Sequence, residues 1–498
     1  MLSLRARLLL AISAFLAAVA TPTPIASAVE AVAPERSDAL WEPGDASSAT
    51  DATNRTQALR QDLPPGDREF SLVELVEVAL GRQPATRQAW YQARSSAAQV
   101  GVAESAWFPT LTLKGSGGPS HTTNPTYPGF ARVNQISGGP GLSLTWLLLD
   151  FGSRSSAIEA ARQTLFSSNF QFNKAVQDVI YNVIQGYYTF DSKGSLQESA
   201  VANVKLAEST LASVAQKRKA GLVSQTSVLQ AAQNLAQAQY NLESAKGDLL
   251  NARASLMQSL GIPANAPLRV LPPPTKTDLM VLDRQVDELI AEALGRRPDV
   301  ASKVSDFLGK KARARQASAD IWPTVSLGST AQRTFYDANV STPPQNFSGS
   351  SHNNDYGATL TISMDIFDGL NKVNKARSAR SDADAAKEGI AQAELAAITD
   401  VVTAYNAVQT AVRKVAAGQA LLDASQKSFD SVQVSYKNGL DNLLNLLTAQ
   451  DHLASARAQS IQSRNDLFLS SAQLTRSTGT LTPRSVIGEK TPPPANLP

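Results

Sequence analysis

The 498-residue chain contains no cysteine, which removes disulfides, thiolate metal centres and cysteine nucleophiles from consideration. Histidine occurs only at His121, His352 and His452. The three are scattered and have no carboxylate pattern beside them, so metal ligation is not expected. Aromatics make up 6% of the chain, too few for a thick core, while Ala, Ser, Gln and Leu abound; that mixture suits narrow helix–helix seams. Acidic and basic residues nearly balance at a formal +3, two units of it from Arg5 and Arg7, and no basic excess points to nucleic acid. The run Lys310, Lys311, Arg313 and Arg315 reads as a solvated helix face. No G-x-S-x-G or H-E-x-x-H motif occurs, and Gly115-Ser116-Gly117-Gly118 continues into Pro119 rather than the Lys-Ser/Thr of a phosphate loop. No catalytic residue, cofactor site or metal site is therefore assigned, and an enzyme is not expected.

Long apolar runs are missing as well. The longest, Leu8 to Ala20, is about 13 residues where a spanning helix needs about 20. With Arg5 and Arg7 before it and Ala26-Ser27-Ala28 after it, residues 1–28 have the anatomy of a secretory signal peptide cleaved after Ala28. An exported chain without a transmembrane helix spans a membrane only as β-strands in a closed barrel. Residues 29–68 and the tail 481–498, both rich in Pro, Ser and Thr, are expected to lack stable structure.

What the sequence does contain is one plan written twice. ALGRQP at Ala79 returns as ALGRRP at Ala293, and the Phe108-Pro109 step returns as Trp322-Pro323, both at an offset of 214. Asp150 and Asp368, Tyr187 and Tyr405, Gly221 and Gly439, and Gly261 and Gly479 all match at 218. A register kept over nearly 200 positions signals duplication, with residues 69–265 as the first repeat and 266–480 as the second.

Each repeat opens with an amphipathic helix and continues into alternating segments that read as strands wet on one side. These are expected at about 109–116 and 140–150, and at about 323–331 and 357–368, separated by loops of about 20 to 30 residues. Leu142, Leu144, Trp146 and Leu148 oppose Ser143 and Thr145; Leu360, Ile362, Met364 and Ile366 oppose Thr359, Thr361, Ser363 and Asp365. Trp107, Trp146 and Trp322, near the strand ends, read either as core or as anchors at a membrane interface. After each second strand a helical pattern of about 70 residues, about 100 Å at 1.5 Å per residue, runs to Gly221 or Gly439. A return helix of about 40 residues follows. The two glycines are thus tips at which a long helix reverses. Four strands do not close a barrel, and the apolar-out, polar-in faces call for several chains to share one: two chains give eight strands and a filled lumen, three give twelve and an opening.

This order of elements, given twice, resembles the TolC family of outer-membrane efflux and secretion ducts. The resemblance rests on Phe108-Pro109 and Trp322-Pro323, on Asp150 and Asp368, and above all on Gly221-Leu222 and Gly439-Leu440 with their following Leu-x-Ala-Gln segments; it covers about residues 70 to 480. It implies a mixed, mostly α fold. Long coiled-coil hairpins form an α-barrel, four strands per chain enter a shared transmembrane β-barrel, and the chain carries an internal two-fold repeat. It further implies a homotrimer in the cell outer membrane, in contact with outer-membrane lipid, its helical tube projecting into the periplasm. A periplasmic adaptor (membrane fusion protein) would dock at the tips, residues Gly221, Leu222, Val223, Ser224, Gly439 and Leu440, and connect the duct to an inner-membrane pump of the RND or ABC type.

In the family the tube narrows at these tips. The matching gate positions are Tyr436, Thr226, Ser227, Asp441, Asn445 and Thr448. Ser227 replaces an expected acidic residue, Asp441 an arginine, and Asn445 and Thr448 a pair of aspartates. Closure would then rest on hydrogen bonds of Tyr436, Thr226, Asn445 and Thr448, or on apolar packing of Leu443, Leu444, Leu446 and Leu447. Asp441 has two readings: a ring of carboxylates around the axis that favours cations, or a solvated carboxylate at a helix start. The leading function is a passive duct for small toxic molecules. The alternatives are the duct of a type I protein secretion system and a structural periplasmic coiled-coil protein, the last disfavoured by its having no use for lipid-facing strands.

Overall fold

The computed structural model describes residues 69–126, 129–262, 264, 268–273, 284–342 and 345–483. The expected signal peptide, the segment 29–68 and residues 484–498 of the expected tail lie outside them. The order is β1 (Glu69–Phe70), α1 (Leu72–Arg82), α2 (Pro84–Glu104), β2 (Thr110–Thr126), β3 (Gly129–Leu149), α3 (Ser153–Lys219), α4 (Gln225–Ser259), β4 (Arg269–Val270), α5 (Val286–Arg296), α6 (Pro298–Ala319), β5 (Thr324–Thr342), β6 (Gln345–Ser363), α7 (Asn371–Lys437) and α8 (Leu443–Ser477). The chain divides into two compact units. Among the described residues, one holds 95–166 and 304–388, and the other holds 69–94, 167–303 and 389–483.

The first unit contains a four-stranded antiparallel sheet in the order β2-β3-β5-β6. Its register puts Leu111 opposite Leu144, Leu113 opposite Leu142, Trp146 opposite Leu327 and Leu327 opposite Leu360, so these side chains share one face. The other face carries the rows Thr112-Ser143-Thr330-Gly357 and Thr110-Thr145-Gly328-Thr359. No described part of the chain covers the apolar face: β6 is exposed at every position, and Leu113, Leu142, Trp146 and Ile362 are all open to the surroundings. The tryptophans Trp107, Trp146 and Trp322 are likewise exposed rather than core.

The strands correct the sequence reading. The expected loops are strand: pairing continues from Gly115 opposite Pro140 to Thr126 opposite Gly129, and from Arg333 opposite Asn354 to Thr342 opposite Gln345. Backbone ladders form irrespective of side chain, and the Gly, Asn and Ser there carry no apolar alternation to betray them. Conversely β6 stops at Ser363, whose partner Thr324 opens β5. The alternation at Met364 and Ile366 therefore outruns the ladder.

Each of the two long hairpins pairs a 67-residue helix with a 35-residue one. Prolines are absent from their interiors, and Pro84 and Pro298 stand at first helical positions, where a missing N–H costs nothing. The buried seam of α7 is Ala397, Val401, Ala404, Val408 and Ala411, spaced alternately four and three, the repeat of a left-handed coiled coil. Along α3 the buried residues Ile158, Leu165, Phe172 and Val179 recur every seven. In the second unit α1 is nucleated by a capping box between Ser71 and Glu74. It buries Leu75, Val76, Ala79 and Leu80 in a cluster with Phe172, Val176 and Ile180 of α3 and with Leu256 and Met257 of α4.

The passage from β3 into α3 is clasped. Asp150 and Arg154 form a buried pair, Nε to Oδ2 2.9 Å. The guanidinium also donates to the carbonyls of Leu148 at 3.1 Å and Ala106 at 3.2 Å and lies 4.3 Å from the Trp107 ring centroid. At the corresponding passage into α7, Asp368 accepts only the backbone N–H of Lys372, whose ammonium turns to Asp365 at 2.8 Å.

The long helices end in a six-to-one and five-to-two bond pair. Leu222 N–H donates to Lys217 and Gly221 N–H to Arg218; Leu440 donates to Ser435 and Gly439 to Tyr436. Gly221 stands in the left-handed region with φ +72 and open space at its missing Cβ; Gly261, with φ +69, would place a Cβ 3.0 Å from the Arg82 carbonyl oxygen. Gly221→Ala should therefore destabilise by about 1–2 kcal/mol, the left-handed penalty alone, and Gly261→Ala by more. Thermal melting of the detergent-solubilised protein checks the order: the larger drop belongs to Gly261→Ala.

Candidate functional site

The two tips differ in chemistry although their backbones match. At the first, Leu222 is 73% exposed, and Ser224 caps α4 by accepting the Ser227 N–H at 3.2 Å. Val223 is half-buried, and its carbonyl accepts from Arg218 at 3.4 Å. At the second, Leu440 is 81% exposed, and Asn442 caps α8 by accepting the Asn445 N–H at 2.9 Å. Asp441 Oδ1 accepts both the Asn442 N–H and the Asn445 side-chain amide, each at 2.7 Å. The structure thus brings Asp441 and Asn445 together and leaves Thr226 and Thr448 exposed.

Behind the tips lies a cluster of Val214, Ala231, Phe429, Tyr436, Leu443, Leu446, Ala449 and Leu453. Leu443 and Leu446 are buried there and Leu447 packs against it, which leaves Leu444 alone of the four leucines exposed. Tyr436 is 5% exposed. Burial raises its phenol above the ordinary value, so it stays neutral, and its hydroxyl has no hydrogen-bond partner among the described residues. Lys217, at the end of α3, lies with Nζ 3.8 Å from the Tyr436 ring centroid and donates to the Tyr436 carbonyl at 2.7 Å. Deeper along the same hairpins, buried Gln450 donates to Thr210 at 2.6 Å, and Arg457 donates to Asn203 at 3.3 Å. Sequence reasoning missed these cross-ties. Lys217 in the run Lys217-Arg218-Lys219 reads as an ordinary complement to a helix C-terminus, and nothing local marks a partner 219 residues away.

A second polar cluster lies at the other end of α8. Arg297 grips Asp299 with two bonds, at 2.7 and 3.0 Å, and reaches Asp400 at 2.9 Å. Close by, Arg476 pairs with Asp178 at 2.7 Å. Burial works to raise the Asp299 carboxyl, but the hydrogen bonds and charge of Arg297 outweigh it and hold it below its ordinary value. No group of three or more metal-ligating side chains occurs among the described residues, and no described helix is long and apolar enough to cross a membrane.

Known proteins share this arrangement. The family model for outer membrane efflux proteins matches residues 75–262 and again 289–480. Protein CyaE of Bordetella pertussis is 28% identical over 400 residues, 80% of this chain and 82% of that one. The solvent efflux pump outer membrane protein SrpC of Pseudomonas putida is 25% identical over 83% of this chain and 87% of its own. Among solved structures, the outer-membrane channel OprN superposes with a TM-score of 0.71 at 23% identity, over 82% of this chain and 90% of that one. The chain belongs to the outer membrane efflux protein family. It is a channel-type transport protein of the outer membrane.

Two predictions follow from the packing. Tyr436→Phe should leave the melting temperature unchanged or slightly raised, because it removes a buried hydroxyl that bonds to nothing, whereas Tyr436→Ala should cost about 3–5 kcal/mol. For the Asp299 pair, a depressed carboxyl adds stability above its unfolded pKa of about 3.9 and loses it as pH falls through the lower folded value. The melting-temperature gap between the natural protein and Asp299→Asn should be constant above about pH 5 and close below about pH 4.

Proposed function

We propose that three copies of this chain form a duct that carries small toxic molecules out of the cell, with one twelve-stranded barrel in the outer membrane. The observation that carries this reading is the sheet. Its outer strands β2 and β6 have no partner on their free sides among the described residues, and one exposed face is apolar. In hydrocarbon such edges are tolerated only when strands of other copies close the ring. Twelve strands leave an opening where eight would be filled by side chains. Residues 69–265 and 266–480 act as two copies of one repeat, an interpretation supported by the equal 67- and 35-residue helices. Six hairpins then close a helical tube in the periplasm, and cargo selection belongs to the pump rather than to a polar lumen.

Gly221, Leu222, Val223, Ser224, Gly439 and Leu440 form the docking surface for a periplasmic adaptor that connects to an inner-membrane pump. The exposure of Leu222 and Leu440 supports this role. Thr226, Ser227, Tyr436, Asp441, Asn445 and Thr448 surround the narrowing, with Tyr436 acting from within the packed cluster. The bonds Asp441 makes inside its own turn favour a structural role at the helix start. Small-molecule cargo is favoured by likeness to a solvent efflux pump protein.

The test uses the absence of cysteine. Because Ser224 caps a helix, the label belongs at Leu222: Leu222→Cys, carrying a photo-crosslinker in living cells, should capture the adaptor of a proton-driven pump. Capture of an ABC-exporter adaptor would transfer the cargo to proteins. Capture of other copies alone would overturn the docking assignment, and a mass other than three chains in detergent would overturn the trimer.

A further inference from the structure

We propose that each chain binds the phosphate of an anionic glycerophospholipid in a cleft of the first unit, where the sheet gives way to helices. The cleft, about 410 Å³, is lined by Phe151, Lys311, Arg315, Ser318, Trp322 and Arg380, with two alanines completing it. Three cations converge there and no carboxylate does. The neighbouring acids are engaged elsewhere: Asp150 with Arg154, Asp320 with the Ser153 hydroxyl at 2.6 Å, and Asp365 with Lys372. Arg380 donates only to Ser318, at 3.4 Å, and no ion pair joins it to Asp384 one turn along. Three cations in one lining that contains no carboxylate call for an anion.

Two further observations make that anion a lipid headgroup. Trp322 is 59% exposed, and its ring centroid lies 5.8 Å from that of Phe151. Two residues beyond Trp322, β5 begins and sends Val325 and Leu327 to the apolar face of the sheet. The cleft therefore stands at the rim of the apolar band, where aromatic rings meet headgroups. In addition Phe151 is held at φ 50, a left-handed conformation that disfavours a side-chain-bearing residue by about 1–2 kcal/mol. In the corresponding turn, 218 residues on, glycine takes that place at φ 71. That second turn carries its own left-handed side chain one position later, at Leu370 with φ 67, so what distinguishes Phe151 is that its ring lines the cleft beside Trp322. The positions 214 residues before Lys311 and Arg315 are Ala97 and Gly101, so the site occurs once per chain. The proposal rests on the reading that the sheet lies in the outer membrane with its helices on the periplasmic side.

The test is native mass spectrometry of the full-length protein in detergent, titrated separately with phosphatidylglycerol, phosphatidylethanolamine and inorganic phosphate. One phosphatidylglycerol per chain is expected to survive detergent stripping. Phosphatidylethanolamine should bind at least about tenfold more weakly, and so should phosphatidylglycerol to the K311Q/R315Q/R380Q variant. A control that neutralises exposed Lys205, Lys414 and Lys427 should bind as the natural protein does. Phe151→Gly separates binding from folding: its melting temperature should hold or rise while lipid retention falls. Equal retention by the triple variant, no preference for phosphatidylglycerol, or full competition by inorganic phosphate would each overturn the lipid site. The oligomer mass read in the same spectra reports independently on the trimer, so the two proposals fail separately.

Discussion

Inside hydrocarbon every backbone N–H and C=O needs a partner from protein, because no water is there to supply one. The sheet of this chain meets that demand along its three internal ladders, and among the described residues nothing meets it along the two outer edges. Among the described residues nothing covers most of its apolar side chains either, so the sheet leaves both its apolar face and its two outer edges open. The threonines and serines of one face and the leucines of the other make sense together only when the first line water and the second meet lipid.

The helical parts answer a different constraint. Seams built of alanine and valine bring helices close but bury little area per residue, so stability has to be collected over length. This explains helices of 67 residues, far beyond the dozen typical of globular domains. Larger side chains gather in clusters where a short helix or a tip is held, Phe172 and Leu256 beside the short helix α1, and Phe429 and Tyr436 behind the tips.

How far the sequence could be read depended on whether a feature is written in side-chain period or in distant pairing. The heptad-like seams, the four apolar strand segments and the reversals at Gly221 and Gly439 all stand in local pattern and were legible. The polar halves of the strands were not, since Gly-, Asn- and Ser-rich sequence looks the same in a ladder as in a loop. The tip was half legible. Its glycines announce themselves, but the cap at Ser224, the Lys217–Tyr436 contact and the Thr210–Gln450 bond were not read, the last two because they join residues more than two hundred positions apart and leave no mark in either neighbourhood. The same holds for the four leucines after Gly439. Their composition promised one apolar surface, and the helix period divided them between a buried cluster and solvent.

The two passages from strand to helix carry one last consequence. Arg154 ties the start of α3 to its own turn through a buried pair with Asp150, and reaches the end of β3 and the Trp107 ring as well. Lys372 holds the start of α7 by an ammonium on an open carboxylate, which solvent and salt loosen readily. Helices of equal length therefore begin on unequal joints, one stiff and one compliant. Under load the compliant joint yields first, and the ties between the hairpins at Lys217–Tyr436 and Thr210–Gln450 pass that load to the stiff one.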